Sequence, residues 1–211
     1  GPGCSWTKQH NGNLSADFDR NGVDVALSVA NNQSLNIIYV AATDRSAVTV
    51  LTGNPPMTIS NRTPPAITTA SSKATSLAAD RHALQSETVY YTWCDGTNAY
   101  LALSTNAGST WQSVTGNINS LLPGATPNEL VADPRNLDHL FLATDTGVYR
   151  SINRGATWLN YSAGLPVAAA ITQLEFDSES SPPRLLLGSY GFGFYTRNVE
   201  SSDTLFFNGF E

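Results

Sequence analysis

A chain of 211 residues with 41% hydrophobic content can bury a core as one domain or as a repeat array. Charged residues make up only 13%, the net charge is −6, and lysine occurs only at Lys8 and Lys73. A polyanion such as DNA is repelled by that balance, so no nucleic-acid partner is expected. The longest apolar run, residues 37–42, is strand-sized against the roughly 20 residues of a spanning helix, so no membrane span is expected either.

Gly1-Pro2 has the form of a scar left by a tag-cleaving protease, which makes the chain an expected fragment of a longer, exported protein. Asp17-Phe18-Asp19-Arg20-Asn21-Gly22-Val23-Asp24 spaces oxygen ligands as a calcium loop does. Asp17, Asp19, Asn21 and Asp24 are therefore candidate metal ligands. The bidentate Glu of such loops is missing, since Ser28 stands at the twelfth position, and a turn with solvated carboxylates fits equally.

Strand-length apolar runs bounded by Gly, Pro, Asn or Asp then follow to the end of the chain, without helical periodicity. They fall into four sets, over about residues 22–60, 74–115, 128–162 and 171–197. The second set carries Ser104-Thr105-Asn106-Ala107-Gly108-Ser109-Thr110-Trp111. The third repeats it 47 residues later as Ser151-Ile152-Asn153-Arg154-Gly155-Ala156-Thr157-Trp158. That offset is close to the length of a four-stranded propeller blade. At the N-terminus, Gly3-Cys4-Ser5-Trp6 matches the tail of the same octapeptide, so residues 6–9 are expected to form the outermost strand of a blade. The fourth set has three clear strands; its outer strand is expected from residues 6–9, from residues 205–207, or from outside the chain.

The duplicated S-x-N-x-G-x-T-W resembles the Asp-box, or BNR repeat, of sialidases, sortilin-type receptors and xyloglucan-hydrolase propellers, with Asn106 and Asn153 where those proteins usually have Asp. The lead-in to the second copy resembles bacterial members. The resemblance implies an all-β fold of about four four-stranded antiparallel blades over residues 1–198, with a tail over 199–211. The blades would form the C-terminal part of a larger propeller or a small closed ring. It also implies that the box is structural and faces away from the ligand. Asn106 and Asn153 would hold backbone N–H groups two residues on, Gly108 and Gly155 would supply positive φ, and Trp111 and Trp158 would drop between sheets. Ser104, Thr110, Ser151 and Thr157 complete the two boxes. The tail resembles the ending of some exported proteobacterial proteins.

Candidate chemistry is sparse. Asp44, Asp95 and Asp145 each follow the second strand of a blade, which puts them on one rim, able to hold a cation or sugar hydroxyls or simply to nucleate turns. Tyr190 takes that place in the fourth set, with Phe192 and Phe194 beyond it as an aromatic platform for a sugar ring. His10, His82 and His139 share no metal-ligand spacing, and no nucleophile elbow or phosphate loop is present. Cys4 and Cys94 are expected to stay unpaired, because a whole blade separates them.

The expected function is thus an extracellular, non-catalytic module that binds a glycan or a protein. Pairing with missing N-terminal blades or with another copy is also open. A glycoside hydrolase fragment and a structural segment of a cell-surface protein are the alternatives. No cofactor is expected beyond calcium.

Overall fold

The computed structural model describes residues 23–29, 36–42, 48–53, 58–63, 73–80 and 87–199. They form four antiparallel sheets in chain order. The first contains β1 (Val23–Val29), β2 (Asn36–Ala42), β3 (Val48–Thr52) and β4 (Thr58–Arg62). The second contains β5 (Lys73–Ala79), β6 (Val89–Cys94), β7 (Ala99–Ser104) and β8 (Gln112–Ser113). The third contains β9 (Pro127–Ala132), β10 (Leu140–Thr144), β11 (Gly147–Ser151) and β12 (Leu159–Asn160). The fourth has three strands, β13 (Ile171–Asp177), β14 (Arg184–Ser189) and β15 (Gly193–Asn198). Each sheet is a meander, as in consecutive β-propeller blades, and its limits fall within a few residues of the sequence reading.

The first strands β1, β5, β9 and β13 lie side by side in that order. Among the described residues the sheets do not close into a ring. A single helical turn, α1 (Ile118–Leu121), interrupts the all-β pattern in the link from β8 to β9, and it is held by burial of Ile118.

Apolar side chains on facing sheets make three interfaces. Tyr39 and Val50 of the first sheet meet Tyr91 and Trp93 of the second. Tyr90 and Leu103 of the second meet Leu142 and Trp158 of the third. Phe141 and Val148 of the third meet Leu174 and Leu187 of the fourth. Middle strands are therefore buried on both faces: every residue of β10 and β11 is buried, which is why Leu140-Phe141-Leu142-Ala143-Thr144 reads as a continuous apolar run.

The two outer faces of the row differ. Ile38, Val40, Leu51 and Ile59 form an apolar cluster on the first sheet, on the side away from the second. On the fourth sheet the side away from the third carries Gln173, Glu175, Thr196 and Asn198, with Leu186 and Phe194 among them.

Candidate functional site

The octapeptide turns join β7 to β8 and β11 to β12 with one set of hydrogen bonds. In the second copy Ser151 Oγ accepts the N–H of Gly155 at 2.8 Å and that of Asn153 at 3.3 Å, and donates to Asn153 Oδ1 at 3.0 Å. Asn153 Oδ1 also accepts the N–H of Thr157 at 2.8 Å, while its Nδ2 donates to Thr157 Oγ1 at 2.9 Å. Ser104, Asn106, Gly108 and Thr110 repeat the pattern within 0.1 Å. The asparagine thus reaches four residues on, not two; the serine makes the shorter link. Gly108 and Gly155 have φ of 76° and 86°, and Ala107 and Arg154 before them are also left-handed, at 52° and 55°.

Each turn tryptophan packs toward the preceding sheet. Trp158 is fully buried, and Asn117, in the link after β8, clasps its backbone, accepting Trp158 N–H at 2.7 Å and donating to Trp158 O at 3.3 Å. Trp111 is half-buried against the first interface, and its Nε1 donates to Thr63 O at 3.1 Å. Packing and turn chemistry thus occupy the Ser, Asn, Gly, Thr and Trp positions of both copies.

Asp95 and Asp145 stand at the opposite end of the sheets, each directly after a second strand. Asp95 Oδ1 accepts the N–H groups of Thr97 and Asn98, and Oδ2 accepts from Tyr100 Oη at 2.8 Å. Those donors, the Asn98 N–H first, hold the Asp95 carboxyl below the usual range. Asp145 Oδ1 accepts Thr126 N–H at 3.0 Å. Asp95 is thus engaged within its own turn, and Asp145 ties the end of β10 to the start of β9. Asp44 lies outside the described residues, so a three-carboxylate rim has no geometry here.

Tyr190 occupies the same rim on the fourth sheet: its N–H donates to Ala170 O as that of Asp145 does to Thr126 O. Tyr190, Phe192 and Phe194 are 80%, 51% and 89% exposed, three of the few large apolar side chains that reach water among the described residues. The Phe194 ring lies over Gly188, where an added β-carbon would meet its Cε1 at 3.6 Å. Phe194 also borders an open cleft of about 650 Å³ that runs along β5, β9 and β13. Glu129, Gln173, Glu175 and Ser178 are its polar lining. Glu129 Oε2 accepts the N–H of Leu174, which ties β9 to β13. The sequence reading missed this lining, although alternation in Gln173-Leu174-Glu175-Phe176 does separate the outward Gln and Glu from the inward Leu and Phe.

Asp17, Asp19 and Asn21 lie outside the described residues, and Asp24 is in β1, paired with Ala41. Among the described residues no group of three or more His, Cys, Asp or Glu is placed to hold a metal. Cys94 ends β6 with a free thiol, which burial pushes up in pKa, while Cys4 lies outside the described residues. No helix among the described residues is long and apolar enough to cross a membrane.

No family model matches the chain, and no curated protein matches it in sequence. Solved structures match in shape. YCF48 from Cyanidioschyzon merolae superposes with a TM-score of 0.64 at 13% identity, over 92% of this chain and 57% of that one. PQQ-bound aldose sugar dehydrogenase from Streptomyces coelicolor gives 0.53 at 12% identity, over 85% and 64%. The extracellular domain of BT4673 from B. thetaiotaomicron gives 0.52 at 12% identity, over 85% and 21%. This chain therefore spans less than two thirds of each. All three are β-propeller proteins, and at these identities the likeness shows the fold alone.

Proposed function

We propose that the chain is an Asp-box-type β-propeller module that binds a glycan outside the cell and performs no chemistry of its own. The observation that carries this reading is the exposed aromatic group Tyr190, Phe192 and Phe194, with Phe194 on the border of a cleft lined by Glu129, Gln173 and Glu175. A sugar presents an apolar C–H face and a rim of hydroxyls. Aromatic rings match the first and side-chain carboxylates and amides the second. The low charge content supports an extracellular setting. A protein partner is the second reading, favoured by Val167, which is 95% exposed like the aromatics and lies just before β13 of the same sheet.

A hydrolase needs a facing pair of carboxyl groups. Glu129 and Glu175 share the cleft, but Glu129 is committed to the backbone of Leu174, which argues for binding alone. Calcium at Asp17, Asp19, Asn21 and Asp24 remains part of the proposal on ligand spacing.

A glycan array followed by titration calorimetry tests this reading. A hit is expected whose affinity drops at least about 10-fold in Phe194→Ala, the scale of one lost stacking contact. No hit across the array, or one indifferent to Phe194, sinks the glycan reading. Released reducing sugar would revive the hydrolase. The same calorimeter, with calcium added to chelator-treated protein, tests the metal loop, and absence of heat rejects it.

A further inference from the structure

Between the third and fourth sheets lies a second cavity, of about 220 Å³, and its lining has a counterpart one interface earlier. There the chain after β8 folds back on β7, with Val114 N–H donating to Leu101 O at 2.9 Å and Thr115 Oγ1 accepting Leu101 N–H at 3.0 Å. After β12 the same bonds recur: Tyr161 N–H donates to Val148 O at 2.9 Å, and Ser162 Oγ accepts Val148 N–H at 3.0 Å. Leu101, Val114 and Ile118 thus correspond to Val148, Tyr161 and Leu165. Leu142 pairs with Tyr149 as Leu187 pairs with Tyr195, so Leu140, Leu142 and Tyr149 correspond to Leu185, Leu187 and Tyr195.

The earlier six residues share one buried cluster with Trp158. The later six all line the cavity. The fourth sheet has no fourth strand and no octapeptide turn among the described residues, hence no tryptophan of its own to fill the space. An apolar cavity of about 150 Å³ already accommodates benzene, so this one has room for an indole.

We propose that this cavity is a socket for Trp6 of the same chain, and that residues 6–9 add to β15 as a fourth strand beside the three described ones. Gly3-Cys4-Ser5-Trp6 aligns with Gly108-Ser109-Thr110-Trp111 and Gly155-Ala156-Thr157-Trp158, so Trp6 stands where each turn tryptophan stands, directly before a short outer strand. Residues 10–22 connect that strand to β1, and thirteen residues reach at most about 45 Å. The link from β8 to β9, residues 114–126, has the same length. One contact is not reproduced. Asn117, which clasps the Trp158 backbone, corresponds to Gly164, where an added β-carbon meets nothing within 4 Å. The docked strand is therefore held more weakly than β12.

Trp6→Ala in the full chain is expected to lower Tm by about 10 °C, as loss of a buried indole does. Leu165→Ala, in the socket, is expected to lower it too, and the double variant to lose less than the sum. A peptide of residues 3–10 should raise the Tm of Trp6→Ala, and the same peptide with alanine for tryptophan should not. An unchanged Tm in Trp6→Ala, additive losses, or a wild-type dimer whose Tm rises with concentration would each overturn the proposal. Should Trp6→Ala not fold, Trp6→Phe decides. Its loss of emission relative to wild type should have the short-wavelength maximum of a buried indole, and a long-wavelength maximum overturns the docking.

Discussion

His139 stands among charges. Its Nδ1 is 3.7 Å from Asp133 Oδ2 and 3.5 Å from Arg150 Nη2, while its Nε2 meets Asn136 Nδ2 at 3.2 Å. Asp133 is already held bidentately by Arg135, at 2.9 and 2.7 Å. Burial, with Arg150 next, keeps the His139 pKa below its ordinary value, against the opposing pull of Asp133 and Asp138. The unfolded chain therefore takes up this proton first, near pH 6.5. The resulting stability is complete above that pH and is lost as pH falls through the lower folded-state value. Tm should decline as pH falls below about 6.5, and His139→Gln should flatten that part of the curve. An unaltered slope would assign the decline to other groups. Asp95 and Asp177, whose pKa values are lowered by hydrogen bonds, act only in the more acidic carboxylate range. At the same scale, Asn for Asp in the repeated turns is accounted for. The amide accepts from backbone through Oδ1 and donates to the threonine hydroxyl through Nδ2, a donor no carboxylate has.

Among the elements, the octapeptide turns act as rivets between blades, and the two are unequal. Trp158 is fully buried and clasped by Asn117; Trp111 is half-buried and makes one bond to Thr63. The sequence treats them as equivalent. Trp158→Ala should cost about 3–5 kcal/mol, and Trp111→Ala distinctly less, because less apolar area leaves water. Urea midpoints at a common m-value would show it, and equal losses would contradict the difference in burial. Around Trp158 the contact is close-packed at the backbone as well: an added β-carbon at Gly155 would lie 2.5 Å from Val114 O, and one at Gly116 would collide with Gly155 O. Glycine is required there by the approach of two blades as well as by positive φ.

At the scale of the whole molecule, the row of four described sheets has one apolar and one mostly polar outer face, so the two are not interchangeable. If residues 6–9 dock on β15, Cys4 lies by the fourth sheet while Cys94 ends β6 in the second. A disulfide requires Cα atoms about 4.4–6.8 Å apart, and an intervening sheet prevents that. Non-reducing peptide mapping of monomeric protein should find no Cys4–Cys94 linkage, and finding one would break the blade order and the docking together.

The sequence alone determined the blade limits, because strand-length apolar runs, turn residues and the 47-residue echo are local signals that need no partner. It also placed the turn glycines and the Tyr190 rim, since positive φ and the end of a strand are written in neighbouring residues. Tertiary structure decided the rest. Which tryptophan is more buried depends on what the preceding blade offers it among the described residues, Asn117 for Trp158 and Thr63 for Trp111. Glu129, Gln173, Glu175 and Phe194 border one cleft only because β9, β13 and the edge strand β15 come together there. The cavity between the third and fourth sheets is likewise invisible in the chain, because a cavity is a property of two sheets in contact.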